Sequence, residues 1–136
     1  MRLCANTGCK LHLIHPLGFE VDDKRMRRAG LDYLDWNNVQ QHSSYEECLA
    51  TGIFKNIFAC STKGKTPYAQ IEYQSGDAFL FGPETRGLPD NVLATFSKQE
   101  ILRVPMLPDS RSLNLSNTVA IFLYEAWRQI DFQGAV

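Results

Sequence analysis

Short apolar runs alternate with segments of helical periodicity along the chain. Residues 10–15 (KLHLIH) alternate in polarity and stop before a proline, which predicts a β-strand. Residues 57–60 (IFAC) and 78–81 (AFLF) are continuous apolar runs, as in strands buried within a parallel sheet, and residues 101–104 (ILRV) form a further strand. Strands interleaved with helices predict an α/β domain with a mostly parallel sheet flanked by helices.

Capping residues mark one of the predicted helices. Ser43 and Ser44 are candidate N-caps for a helix over residues 45–50, and Ser43 with Glu46 has the spacing of a capping box. Gly52 closes that helix, because glycine readily adopts the left-handed conformation found after a helix end.

The last helix is the clearest element. Ser112 and Asn114 are candidate N-caps for it. Upstream, Pro89 suits the first turn of a shorter helix that runs to about residue 96. The apolar residues of the last helix recur at helical spacing and form one stripe over about four turns: Val119, Phe122, Leu123, Ala126, Trp127 and Ile130.

Composition and charge exclude several classes of protein. The chain of 136 residues is 44% hydrophobic and 21% charged, a globular mix, and no apolar run approaches the roughly 18 residues that span a membrane. The net charge of −1 means that any RNA binding must depend on local basic patches. The four cysteines form no C-x-x-C pair, and no histidine stands at zinc-site spacing to them. We therefore expect reduced, buried thiols and no metal.

Residues 81–89 (FGPETRGLP) join the end of an apolar strand to a helix. Ligands of open α/β sheets bind beyond the carboxyl ends of the strands. Gly82 and Gly87 allow close backbone approach, and the two prolines stiffen the loop. The glycines are not followed by the Lys and Ser/Thr of a phosphate loop. A ligand site is the favoured interpretation, and a stiff structural turn is the alternative.

Two further segments are rich in polar groups. Within residues 104–117, the nine positions 109–117 carry seven side-chain donors or acceptors, more than one helix cap requires, which favours ligand contact. Residues 23–28 (DKRMRR) follow a candidate cap at Asp22 or Asp23 and place four cations on a short predicted helix that stops at Gly30. This basic run is either a solvated face or a phosphate-contact patch.

Together these motifs resemble the SPOUT (trefoil-knotted) RNA methyltransferases, most closely the subfamily that methylates the 2′-oxygen of the wobble nucleotide, cytidine or uridine 34, of tRNA. The similar segments follow the family's order and cover nearly the whole chain: RLCANTG at 2–8, DDKR at 22–25, RR at 27–28, GLDY at 30–33, TKG at 62–64, FGPETRGL at 81–88, PDSRS at 108–112, NLSN at 114–117 and YEAWRQ at 124–129.

The resemblance implies one α/β SPOUT domain over residues 1–136, with a C-terminal trefoil knot that the chain enters at about residue 81. It implies S-adenosyl-L-methionine as cofactor, held largely by backbone groups of Cys60, Gly82, Val104 and Ser112. The implied activity is methylation of the ribose at position 34 of tRNA, with leucine tRNAs as the implied substrates. The implied setting is a cytoplasmic homodimer that uses no metal and no membrane.

The resemblance also implies catalytic positions at Arg2, Glu84 and Asn114. Arginine holds its proton in proteins, so we expect Arg2 to grip a phosphate and to stabilise charge on the attacking oxygen rather than to act as a base. Glu84 would accept the proton or orient another group. The expected RNA-contacting residues are Lys24, Arg25, Arg27, Arg28, Arg86 and Tyr124.

One departure from the family pattern concerns the start of the sequence. In the family, a first strand and an asparagine-containing loop precede the residue that matches Arg2, whereas Met1 stands immediately before it here. We therefore expect a chain that lacks its first strand, is less stable than an extended form and is weakly active or inactive. The alternative function is a catalytically impaired RNA-binding or dimerisation module.

Overall fold

The computed structural model describes residues 2–15 and 37–136, and the chain divides into two compact units, Met1–Ile53 and Phe54–Val136. The basic helix predicted to end at Arg28 lies outside the described residues. Among the described residues, no helix combines the length and apolar character needed to cross a bilayer.

The first unit contains a two-stranded parallel sheet. Its strands pair in register from Leu11 opposite Val39 to Ile14 opposite His42. The described elements are α1 (Arg2–Thr7), β1 (Leu11–Ile14), β2 (Val39–His42) and α2 (Tyr45–Ala50). The predicted strand at residues 10–15 is confirmed as β1. Strand β2 was not predicted, because its sequence VQQH offers a single apolar residue and no alternation.

The start of α2 is capped one residue later than the sequence spacing suggested. Ser44, not Ser43, is the N-cap, and its Oγ accepts a hydrogen bond from the Glu47 backbone N–H at 3.1 Å. Glu47, not Glu46, reaches back to accept from the backbone N–H of Ser43 at 3.3 Å. The predicted capping box at Ser43 and Glu46 is therefore wrong in register. Gly52 follows the helix with φ of +64°, as expected for a helix end.

The second unit is built on a four-stranded, wholly parallel sheet. The strand order is β4-β6-β3-β5, so the chain returns to the same end of the sheet after each strand. Its elements are β3 (Ile57–Cys60), β4 (Thr66–Pro67), a 3₁₀ helix (Tyr68–Gln70), β5 (Ala78–Phe81), α3 (Asp90–Leu93), a second 3₁₀ helix (Lys98–Glu100), β6 (Ile101–Arg103) and α4 (Leu115–Gln129). These observations confirm the predicted α/β class with parallel sheets flanked by helices.

Both faces of this sheet are covered, which explains why β3 is continuously apolar. On one face, Phe58 and Cys60 pack with Tyr73, Leu102 and Phe122, the last two almost fully buried. On the other face, smaller side chains form a second cluster: Ala59, Leu88 and Leu93. Phe122 comes from the predicted apolar stripe of α4, which therefore covers the first face.

Two helix predictions in the second unit differ from the structure. Helix α3 ends at Leu93 rather than near residue 96, and the next residues continue in tighter turns, with Phe96 N–H donating to the Leu93 carbonyl at 3.1 Å. Pro89 is the N-cap of α3 with φ of −60° and ψ of 148°, so it precedes the first helical turn. Ile130, the end of the predicted stripe, is the C-cap of α4 and is exposed.

Candidate active site

A cavity of about 280 Å³ lies beyond the carboxyl ends of three parallel strands of the second unit. The segments that follow β3, β5 and β6 and the start of α4 form its walls. Its volume is near the lower end of the range for small-molecule sites, and its position is where open α/β sheets bind ligands. Leu102 and Phe122 form part of its floor, and polar loop residues surround its mouth.

The loop after β5 folds tightly on itself. The Gly87 N–H donates to the Pro83 carbonyl at 2.8 Å, and Gly87 has φ of +69°. A Cβ built on Gly82 would lie 2.2 Å from the Gly87 carbonyl carbon and 2.3 Å from the Leu88 nitrogen, so no larger residue fits there. The side chain of Leu88 is buried in the second core cluster and anchors the loop to the sheet. The two interpretations of this loop, ligand wall and stiff turn, are thus compatible.

The segment after β3 forms a second wall. The Ser61 N–H donates to the Leu102 carbonyl at 3.0 Å, which prolongs the pairing of β3 with β6 by one residue. A Cβ on Gly64 would lie 2.7 Å from the Ile101 carbonyl oxygen, so this turn also requires glycine. Lys63, which lines the cavity, pairs with Asp90 at 2.7 Å. This exposed pair links the second wall to the first residue of α3.

The start of α4 closes the third side. Asn114 is the N-cap of α4, and its Oδ1 accepts hydrogen bonds from the Ser116 N–H at 2.8 Å and the Asn117 N–H at 3.4 Å. The capping interpretation of this segment is therefore confirmed at Asn114, whose Nδ2 takes no part in the cap. Ser112, the other candidate cap, lines the cavity instead.

The far end of α4 is anchored through Gln129. Its Oε1 accepts a hydrogen bond from the Tyr73 backbone N–H at 2.8 Å, and its Nε2 donates to the Ile71 carbonyl at 2.8 Å and to Glu125 at 3.1 Å. A hydrogen bond from Arg128 and, to a smaller extent, one from Gln129 lower the pKa of Glu125 to about 2. These bonds fix the helix that supplies Phe122 and Thr118 to the cavity.

The structure brings together all four positions expected to hold the cofactor, since Cys60, Gly82, Val104 and Ser112 line this one cavity. Burial raises the pKa of the Cys60 thiol well above its usual value, so the thiol stays protonated and does not act as a nucleophile. The contribution of Cys60 to cofactor binding through its backbone stays a prediction.

The other expected site residues are distributed more widely. Glu84 and Arg86 also line the cavity, on the exposed side of the loop. Asn114 and Tyr124 lie on α4, with the Tyr124 ring exposed and in contact with Trp127 at 5.7 Å between ring centroids. Arg2 is the first residue of α1 in the first unit. The expected RNA contacts Lys24, Arg25, Arg27 and Arg28 lie outside the described residues.

Sequence reasoning did not select several residues of the cavity. Lys63 was part of the TKG motif but received no role, and the apolar floor residues Leu102 and Phe122 were identified only as parts of a predicted strand and of a helical stripe. Lys63 follows β3 and Leu102 lies within β6, so the position of each at the end of a parallel strand could have indicated a place in the cavity. Nothing in the spacing of α4 distinguishes Phe122 as a residue of the cavity floor.

A parallel sheet flanked by helices, with a cavity beyond the carboxyl ends of three strands, places the chain among the α/β proteins that bind ligands at this edge of the sheet. Residues 1–124 match the model of the SpoU rRNA Methylase family, and the chain belongs to that family. A tRNA (cytidine(34)-2'-O)-methyltransferase of Methylovorus glucosotrophus (strain SIP3-4) is 53% identical over 136 residues, which are 100% of this chain and 88% of that protein.

Solved structures agree with the family assignment. A putative RNA methyltransferase from Bacillus anthracis is 43% identical, with a TM-score of 0.88 over 98% of this chain and 85% of that chain. A structure concerned with the 2-OH methylation of C/U34 on tRNA is 39% identical, with a TM-score of 0.85 over 97% of this chain and 86% of that chain. The resemblance seen in the sequence motifs is thereby confirmed for the family and for the α/β fold class, and the trefoil knot stays a prediction.

Proposed function

We propose that this chain is an enzyme that transfers a methyl group from S-adenosyl-L-methionine to the ribose 2′-oxygen of nucleotide 34, a cytidine or uridine, in tRNA. The cavity beyond three parallel strands, lined by Cys60, Gly82, Val104 and Ser112, is the observation that carries the proposal. The choice of target rests on the relative from Methylovorus glucosotrophus, which is named for cytidine 34 of tRNA, and on the structure concerned with C/U34. Leucine tRNAs are the substrates that we propose to test first.

The cavity suits the proposed cofactor chemically. Phe81, Leu102 and Phe122 offer apolar surface for a flat purine ring, and the loop backbone at Gly82 and Gly87 approaches without intervening side chains. Backbone N–H and C=O groups match an adenine edge, which has both acceptors and donors. When bound, the cofactor supplies an electrophilic methyl group on a sulfonium. We propose that the reaction uses no metal ion, because the positively charged sulfur already activates the methyl group.

The residues of the chain would supply alignment and charge stabilisation. Holding an oxygen nucleophile in line with its target can contribute several kcal/mol to catalysis, about 7–11 kcal/mol in well-oriented cases. We assign Arg2 to binding a substrate phosphate and stabilising charge on the 2′-oxygen, Glu84 to accepting or orienting the proton, and the Asn114 amide to the substrate. Arg86 and Tyr124 would contact RNA, as would the basic run at residues 24–28.

We further propose that the enzyme works in the cytoplasm, as one domain and as a homodimer. Apolar side chains that remain exposed on α4 and just after it support the proposed dimer, with Tyr124 at 43%, Ile130 at 37% and Phe132 at 42% exposure. Asn117 lies seven residues before Tyr124 and is also exposed, so both can belong to one interface. Analytical ultracentrifugation at micromolar concentration tests this directly, and a sedimentation coefficient of a monomer would contradict it.

The alternative function is an RNA-binding or dimerisation module with impaired catalysis. Two assays on the same sample separate the alternatives: retention of tRNA on a filter, and transfer of label from radioactive S-adenosyl-L-methionine into that tRNA. The enzyme predicts both retention and transfer. Retention without transfer, with no measurable cofactor binding, would favour the module and refute the proposed activity.

The role of Arg2 can be tested by a matched pair of variants. Arg2→Ala removes the charge and the planar hydrogen-bonding fork, whereas Arg2→Lys keeps the charge alone. Loss of one group that stabilises developing charge lowers kcat about 100- to 1,000-fold, and we expect a loss of this size for Arg2→Ala. The kcat of Arg2→Lys should lie between that of Arg2→Ala and that of the parent chain. Arg2→Ala with unchanged kcat would remove Arg2 from the mechanism.

A further inference from the structure

Three side chains of the first unit that have no role in the proposed methyl transfer converge on one point. They are His12 on β1, His42 at the end of β2 and Cys48 on α2. One potential ligand atom from each lies within 4.8 Å of the other two. His12 is paired opposite Gln40, two residues before His42, so the two imidazoles project from the same face of the sheet.

The two imidazoles are already in direct contact. His12 Nδ1 and His42 Nε2 are 2.9 Å apart, and the ring planes are inclined by only 20°. In a tetrahedral zinc site with Zn–N of about 2.0–2.1 Å and Zn–S of about 2.3 Å, neighbouring nitrogens are about 3.3 Å apart and nitrogen and sulfur about 3.6 Å apart. The nitrogens must therefore separate by a few tenths of an ångström, and the sulfur must approach by no more than about 1.2 Å, which lies within the reach of side-chain rotation.

We propose that His12, His42 and Cys48 form a Zn²⁺ site, with water at the fourth position. Imidazole nitrogen and thiolate sulfur are ligands that zinc prefers, and mixed sets of histidine and cysteine hold the ion in both structural and catalytic sites. The site is distinct from the cavity of the second unit, because all three ligands belong to the first unit.

Burial favours a site of this kind. His42 is 7% and Cys48 4% exposed, whereas His12 is half-buried, so the ion has protein on most sides and one side open to water. Such a site leaves a coordination position for solvent.

The site would join three separate elements of a small unit. Among the described residues of the first unit, the buried side chains are Cys4, His42 and Cys48. Two of these three buried side chains are proposed ligands, and a metal that links β1, β2 and α2 would add stability by joining three separate elements. We therefore expect Zn²⁺ to raise the melting temperature of the chain.

Binding of the ion requires two proton movements, one at the thiol and one at the pair of imidazoles. The Cys48 thiol gives its proton to solvent when its sulfur coordinates the ion. The proton shared between His12 and His42 moves to the other nitrogen of the ring that held it, so each imidazole stays neutral and keeps one N–H. One proton is thus released for each ion bound, and no oxidant or reductant is needed.

The test uses the full chain after treatment with a chelator, titrated with Co²⁺ as a spectroscopic substitute and then with Zn²⁺. The site predicts one ion per chain, visible bands typical of four-coordinate cobalt, a thiolate-to-cobalt charge-transfer band in the near ultraviolet and displacement of Co²⁺ by Zn²⁺. Absence of the charge-transfer band in the parent chain would overturn the proposal, whatever the methyltransferase activity of the sample.

Variants provide the matched controls. Cys48→Ser should abolish the charge-transfer band and weaken Zn²⁺ binding at least about tenfold, since even residues that only support metal ligands cost 10- to 100-fold when lost. Cys9→Ser, which changes a half-buried thiol of the same unit outside the cluster, should retain both. Equal Zn²⁺ affinity in these two variants would overturn the site. His42→Gln retains the thiol and should also weaken binding at least tenfold, which decides the question if Cys48→Ser fails to fold.

Discussion

Substitution of Gly82 by alanine gives a sharp test of how the loop after β5 builds the proposed cofactor wall. The added Cβ would lie 2.2 Å from the Gly87 carbonyl carbon, 2.3 Å from the Leu88 nitrogen and 2.5 Å from the Gly87 oxygen, whereas ordinary contacts begin at 3.4 Å. All three atoms are backbone, so no side chain can rotate away. The loop backbone must therefore retreat by about 1 Å, and overpacking of this kind costs about 1–3 kcal/mol of stability.

The same movement should weaken cofactor binding. A displacement of about 1 Å takes a backbone group out of the 2.7–3.2 Å range of a hydrogen bond, and loss of one such bond at about 1.4 kcal/mol lowers affinity about tenfold. We therefore expect Gly82→Ala to bind S-adenosyl-L-methionine at least about tenfold more weakly in calorimetric titration, while denaturant unfolding still reveals a cooperative fold.

Gly87→Ala provides a control in the same loop. No heavy atom lies within 4 Å of its added Cβ, but its φ of +69° strains any larger residue by about 1–2 kcal/mol. Gly87→Ala should therefore lose stability and retain cofactor affinity to within about threefold, because the loop keeps its path. Cofactor affinity of Gly82→Ala equal to that of Gly87→Ala would refute the claim that contact between these two backbone segments shapes the site.

Three further predictions concern α4. Asn114→Ala should lose about 1 kcal/mol of stability with the N-cap, as thermal unfolding will report. Asn114→Asp should retain the cap and lower kcat, because it lacks the amide that we assign to the substrate. Gln129→Ala leaves the Tyr73 N–H without its partner and should cost about 1–3 kcal/mol in urea unfolding. The pKa of Glu125 lies below its ordinary value of 4.5, near 2, so its ion pair with Arg128 contributes stability above pH 4.5 that disappears as the pH falls towards 2. Since Arg128 is largely exposed, Glu125→Gln should remove only about 0.3–1 kcal/mol at pH 7 and reduce the loss of stability between pH 4.5 and 2.

Most of the second unit could be predicted from sequence because its elements carry strong local signals. Continuous apolar runs at β3 and β5 are typical of a sheet covered on both faces, and helical spacing around Phe122 identified the face of α4 that packs on it. The positions of Cys60, Gly82 and Val104 around one cavity follow from the rule that the ends of parallel strands lie at one edge of the sheet.

The features that could not be predicted depend on contacts between distant residues. The steric demand for glycine at position 82 comes from the path of residues 87 and 88, which no spacing rule contains. Strand β2 has hardly any apolar pattern and forms through its pairing with β1. That pairing brings His12 beside His42, thirty residues apart, so a search for zinc ligands at short spacing could not detect the cluster with Cys48.

Methyl transfer to the 2′-oxygen of nucleotide 34 can be tested with two leucine tRNAs that differ in a single oxygen. One carries ribose at nucleotide 34, and the other carries 2′-deoxyribose there. Each is incubated with the chain and radiolabelled S-adenosyl-L-methionine, and the label retained in RNA is counted. We expect transfer to the first tRNA and none to the second, because only the first has the attacking oxygen. Equal labelling of both tRNAs would contradict methylation at the 2′-oxygen of nucleotide 34, and labelling of neither would favour the catalytically impaired module over the enzyme.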